Sequence, residues 1–178
     1  MIDAEKILKE EQMYFAKEII CNIPCHIGYV KRFRWRWMAT QLNTFVFIAE
    51  VNGTMTQLMM RSFARACYDY AIHNNKGWPR GLQSGVGAIA ILVGDEITQD
   101  GAAYCMADPS AHFSAFEVPV AYLKKYKQPV HFRGTQIWGA IYYPYFSEII
   151  RRICGKLAAS QSQESMPPPL PSADQGQQ

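Results

Sequence analysis

The 178-residue sequence has no apolar run approaching the roughly 18 residues that span a bilayer, so no membrane span is expected. It has no Gly-Lys-Ser/Thr phosphate loop. No second cysteine pair follows Cys21 and Cys25 at the regular spacing of a structural zinc site. There is no aspartate between Asp3 and Asp69. The charge excess is small, a formal +3. Setting aside Glu164 and Asp174 near the C-terminus leaves 18 basic against 13 acidic side chains, or +5. Such a balance permits an anionic partner without demanding one.

Hydrophobic residues make up 49% of the chain, enough for a core without disulfide or metal staples. The five cysteines are odd in number and irregular in spacing, and Met1 to Glu11 is charged with no apolar signal-peptide core. These features predict reduced thiols and a cytoplasmic protein. Residues 1–158 read as one α+β domain. Residues 159–178, rich in Ser, Gln and Pro, read as a disordered tail. Its Met166–Pro171 stretch favours polyproline II, which an SH3-like partner reads, although short proline runs are common in solvated tails.

Helical spacing of Ile7, Leu8, Tyr14, Phe15 and Ile19 predicts a helix over Asp3–Asn22, ended by Pro24. From Tyr29 to Trp37 basic and aromatic residues alternate: Arg32, Arg34 and Arg36 against Phe33, Trp35 and Trp37. Period two predicts a strand with a cationic face outward and an aromatic face inward. A turn at Gln41–Thr44 and a strand over Phe45–Val51 complete an antiparallel hairpin. Thr56–Asn74 reads as an amphipathic helix and Gly87–Gly94 as a buried central strand. A short helix over Thr98–Met106, strands over His112–Tyr122 and Pro129–Arg133, and a last helix from Pro144 to about Lys156 follow. Pro119 places its strand at an edge or bulge. The sum is a mixed sheet of about five strands with helices packed against it.

The arginines at 32, 34 and 36, extended by Lys31, would stand about 6–7 Å apart on a strand, close to the phosphate repeat of a nucleic acid. Nucleic acid or another anionic partner is the class this predicts, although a solvated hairpin face shows the same alternation. A second group is the glycine-rich loop Trp78–Gly85, with Arg80, Gln83 and Ser84, beside which His131 and Arg133 would line a groove. Cys21, Cys25 and His26 offer zinc-type ligands without a completing pair, so no metal site is expected. A Cys25/His112 or Cys25/His131 nucleophilic pair needs a closeness that spacing does not supply. Tyr142, Tyr143, Tyr145 and Phe146 cannot all face one core at helical period, which makes them a candidate patch for a homo-oligomer or a protein partner.

Glu50 ends the second hairpin strand, and Asn52 follows two residues later. A helix, a hairpin whose second strand ends in an acid, a helix and a buried strand, over Asp3–Gly94, resembles the core of restriction-endonuclease-like proteins, the PD-(D/E)xK superfamily. The resemblance implies two carboxylates holding a divalent metal and a lysine assisting the attacking water. Here Asn52 stands where that lysine would be, and the hairpin has no aspartate. Glu50, with Glu18 as a possible second carboxylate, would then form an altered or inactive site. The leading functional expectation is a non-catalytic binding or interaction module. The alternative is a metal-dependent nuclease-like enzyme with a degenerate site.

Overall fold

The computed structural model describes residues 2–37, 40–75, 84–108, 111–112, 115–134 and 141–164. Their order is α1 (Ala4–Glu10), β1 (Tyr14–Ile20), β2 (Ile23–Arg34), a 3₁₀ turn (Trp35–Trp37), β3 (Thr40–Glu50), β4 (Thr54–Met55), α2 (Gln57–His73), β5 (Ser84–Gly94), β6 (Glu96–Ile97), α3 (Gln99–Met106), β7 (Ala111–His112), β8 (Ala115–Leu123), β9 (Gln128–Val130) and α4 (Tyr143–Glu164).

One mixed sheet runs β1-β2-β3-β5-β8-β7, with β9 on β8; β4 and β6 form a separate short pair. The β1-β2 and β2-β3 pairs are antiparallel, while β3-β5 and β5-β8 are parallel. Parallel neighbours need crossovers, and α2 and α3 lie in the two that join them. Alternation then divides the core in two. Ile48, Ile89, Ile91, Val118 and Val120 pack with α1 and α4, while Phe45, Phe47, Ala88, Ala90 and Leu92 pack with α2. The result is the α+β architecture expected: helices on both faces of a mixed sheet. The centre is β5, buried along its whole length because it has parallel neighbours on each side and helices above and below.

Local signals placed several elements. Thr56 caps α2 by accepting from Met59 N, and Thr98 caps α3 by accepting from Gly101 N. Gly53 takes φ +96° in the turn after β3. Pro119 falls in the part of β8 that neither β7 nor β9 pairs, where a missing N–H costs least.

The first helix is a correction. It stops at Glu10, and residues 14–20 form strand β1. A Schellman motif ends it: Gln12 N–H donates to Lys9 O, Met13 N–H donates to Leu8 O, and Gln12 takes φ 56°. Glutamine in the place usually held by glycine hides that stop from sequence reading. Cys21 and Asn22, both at positive φ, then turn β1 into β2 as a two-residue hairpin. The hairpin of β2 and β3 is longer than expected, and Gln41–Thr44 is strand, paired with Arg32, Phe33, Lys31 and Val30. The last helix continues to Glu164, six residues into the stretch read as tail; the proline-rich segment lies outside the described residues.

The aromatic crowding at the start of α4 is resolved within the chain. Tyr143, Tyr145 and Phe146 are buried, Tyr142 is half-buried, and they pack against Trp37, Phe116 and Phe132.

Candidate functional site

The far end of the β2-β3 hairpin is the first place where exposed chemistry gathers. β1 pairs with β2 only as far as Gly28, after which Tyr29 N–H donates to Met13 O. From Val30 to Arg34 the outer edge of β2 has no strand neighbour among the described residues. Lys31 and Arg32 are exposed there. The aromatic face expected to point inward does not. Phe33 is 51% and Trp35 81% exposed, and only Trp37, at 2%, enters the core. Phe33 still lies in regular strand, opposite Gln41, but belongs to neither core cluster; the 3₁₀ turn at Trp35 then ends strand alternation at Arg34, and at three residues per turn it sends Trp35 and Trp37 in different directions. Phe33 and Trp35 meet edge to face at 5.5 Å. The side chains of Arg34 and Arg36 lie outside what the structure describes.

Glu50 closes β3 at the opposite end of the sheet, where the parallel strands finish. Its carboxylate accepts from Lys124 Nζ at 3.1 Å and from Ile2 N at 3.2 Å. Lys124, just after β8, also lies 3.1 Å from Asp95 Oδ1, just after β5. Three adjacent strands therefore end in one acid–lysine–acid cluster. Burial alone would push the Lys124 ammonium down, but hydrogen bonds to Asp95 and Glu50 outweigh it and hold it above the usual lysine range. Beside the cluster is a cavity of about 480 Å³ lined by Ile2, Lys17, His26, Glu50 and Asn52 among others. Burial, with the nearby Lys17 charge, pushes His26 down.

The two acids read together from the sequence are not brought together. Glu18 sits opposite Cys25, whose thiol belongs to the core beneath α2; Glu50 lines the cavity on the other face, with Lys17 and His26. Alternation separates Cys25 from His26 in the same way, and burial pushes the Cys25 thiol up to about 12, far from nucleophilic use. Among the described residues no group of three or more His, Cys, Asp or Glu side chains could hold a metal ion. None of the described helices is long and apolar enough to cross a membrane.

Trp78, Arg80 and Gln83 lie outside the described residues. Ser84 opens β5, buried, its hydroxyl accepting from Asn43 Nδ2 at 3.3 Å. Asn43 also accepts from Tyr29 Oη at 2.7 Å, forming a buried polar knot across three strands that sequence reading did not find. His131 and Arg133 do share a groove, of about 480 Å³, with Met106 and Phe132. His131 Nδ1 lies 2.7 Å from Phe132 O. Asp95 and Lys124 were also missed. Their one signal was position, each directly after a strand at the carboxyl end of a parallel sheet, where α/β ligand sites gather.

These features define a three-layer α+β protein with a basic, aromatic hairpin end and an ion-paired acid cluster at the other. No protein-family model matches the chain, and no curated protein or solved structure is significantly similar to it.

Proposed function

We propose that this is a cytoplasmic, non-catalytic binding module that takes an anionic partner on the free end of the β2-β3 hairpin. The observation carrying this is Trp35, left 81% exposed beside the exposed Lys31 and Arg32 on a strand edge that nothing described covers. A large indole in water is a contact surface awaiting an occupant, and the surrounding charge sets the sign of that occupant. Arg34 and Arg36 add two more cations to the same nine-residue stretch.

Heparin chromatography tests this. The protein should be retained at about 50 mM salt, and Lys31→Ala/Arg32→Ala and Arg34→Ala/Arg36→Ala should each elute earlier, since every lost contact releases fewer counterions. Flow-through of the unaltered protein, or elution unmoved by both pairs, overturns the reading.

The acid–lysine–acid cluster favours a second reading, a degenerate metal-dependent nuclease of the restriction-endonuclease-like kind. Two carboxylates converge at 3.1 Å on one cationic atom, and the hairpin ending in Glu50, α2 and the buried β5 come in the order that resemblance implies, with β1 standing between α1 and the hairpin where that layout has no strand. Lys124 would occupy the place of a divalent metal, so Lys124→Met should uncover magnesium- or manganese-dependent nicking of supercoiled DNA that Glu50→Gln abolishes. No nicking by the unaltered protein or by Lys124→Met in either metal ends this reading.

A further inference from the structure

The hairpin end carries more than charge. Tyr29, Lys31 and Phe33 occupy alternate positions of β2 opposite Phe45, Asn43 and Gln41, so they share the sheet face on which α2 packs. They stand about 6.8 Å apart along the strand. Phe15, bulged out of β1 and 37% exposed, lies 5.8 Å from Tyr29 at one end of this row. Trp35 lies against Phe33 at the other. The row therefore reads ring, cation, ring, with the amide of Gln41 beside Phe33. From Tyr29 to Trp35 it spans about 20 Å, room for about three nucleotides of an extended strand.

Resting on the anionic-partner reading, we infer that the occupant is single-stranded nucleic acid, its bases stacked on Trp35 and Phe33 and its phosphates drawn to Lys31 on the same face. Unpaired bases offer flat faces to exposed rings, whereas a duplex keeps those faces stacked internally. A lipid surface fits less well. Lys31 and Gln41 interrupt the apolar side chains, and a membrane-bound element instead presents a continuous apolar face.

Fluorescence anisotropy with labelled oligothymidylate, an abasic phosphodiester chain of equal length and a duplex tests the inference on the full-length protein. Oligothymidylate should bind at least about tenfold more tightly than the abasic chain. Trp35→Ala and Phe33→Ala should each reduce it toward the abasic level with the salt slope unchanged, while Trp35→Phe retains most of it. Lys31→Ala should weaken both single chains and flatten the salt slope. Trp35 and Phe33 are exposed, so circular dichroism of these variants should match the unaltered protein. Equal affinity for oligothymidylate and the abasic chain, or preference for the duplex, overturns the stacking inference; heparin retention persisting in that case leaves the anionic-partner reading standing. Loss of heparin retention as well removes both. Capture by phosphatidylserine-containing vesicles through Trp35, without oligothymidylate binding, overturns the inference in favour of a lipid surface.

Discussion

The indole of Trp37 donates its Nε1–H to the carbonyl oxygen of Ile141 at 2.9 Å, fastening the end of the β2-β3 hairpin to the start of α4 across 104 residues of sequence. Its ring also packs on Tyr142 and Tyr145 at 5.4 and 5.1 Å. Trp35, two residues earlier, meets the Phe33 ring and is 81% exposed.

The two tryptophans should therefore separate cleanly under mutation. Trp37→Ala removes a buried ring and strands a carbonyl, at a cost of about 3–5 kcal/mol. Trp35→Ala should stay within about 0.5 kcal/mol of the unaltered protein, as exposed substitutions do. Urea denaturation of both variants checks this. A large loss at Trp35 would mean its ring is packed, and the binding proposals would lose their basis.

Lys124 and Glu50 join the ends of β8 and β3 with side chains 21% and 28% exposed. A double-mutant cycle of Lys124→Met and Glu50→Gln should give a coupling of about 1 kcal/mol, reduced by water and salt at this partial exposure. The folded lysine is held above its unfolded value, so the folded state keeps its proton longer. The cluster's contribution is complete below the ordinary lysine value of about 10.4 and is lost as the pH rises through the folded value. Lys124→Met should therefore lose less stability than the unaltered protein when the pH is raised past about 10.

Gly87 lies in the middle of the sheet directly under Phe146. A Cβ placed there would stand 2.6 Å from Phe146 Cε1 and 2.8 Å from its Cζ. Gly87→Ala should cost about 1–3 kcal/mol by overpacking, and Gly87→Ala/Phe146→Leu should recover part of it. Additive losses in thermal melts would show that the helix shifts instead of the ring.

His131 is held below the usual histidine value by burial, with the Arg133 charge adding to it and the Phe132 carbonyl opposing it. As the pH falls past about 6.5 the unfolded chain takes up a proton that the folded imidazole still refuses, so stability falls with pH across that window. The loss between about pH 8 and pH 5 should be smaller in His131→Asn, which cannot titrate, than in the unaltered protein. Denaturation midpoints at the two values measure the difference, and equal losses would place His131 in an unperturbed setting.

What the residues determined locally was legible. Both ends of α2 carry their caps at Thr56 and Asn74, α3 starts at Thr98, and the glycine-flanked apolar run at 87–94 is fully buried, in a strand that begins three residues earlier at Ser84. Each depends on neighbours in the chain: a hydroxyl within reach of the next turn, or a run too short for a helix and too apolar for an edge. The end of α1 was not legible, because its left-handed stop is taken by Gln12 and held by the burial of Leu8 and Met13 against the sheet. Nor was the meeting of Glu50 with Asp95 and Lys124, drawn from positions 45 and 74 residues away by the register of three parallel strands. The sequence by itself determined that residues 31–36 are basic and aromatic. Only the tertiary structure decided which rings meet water, because that depends on where the neighbouring strand ends and a 3₁₀ turn begins.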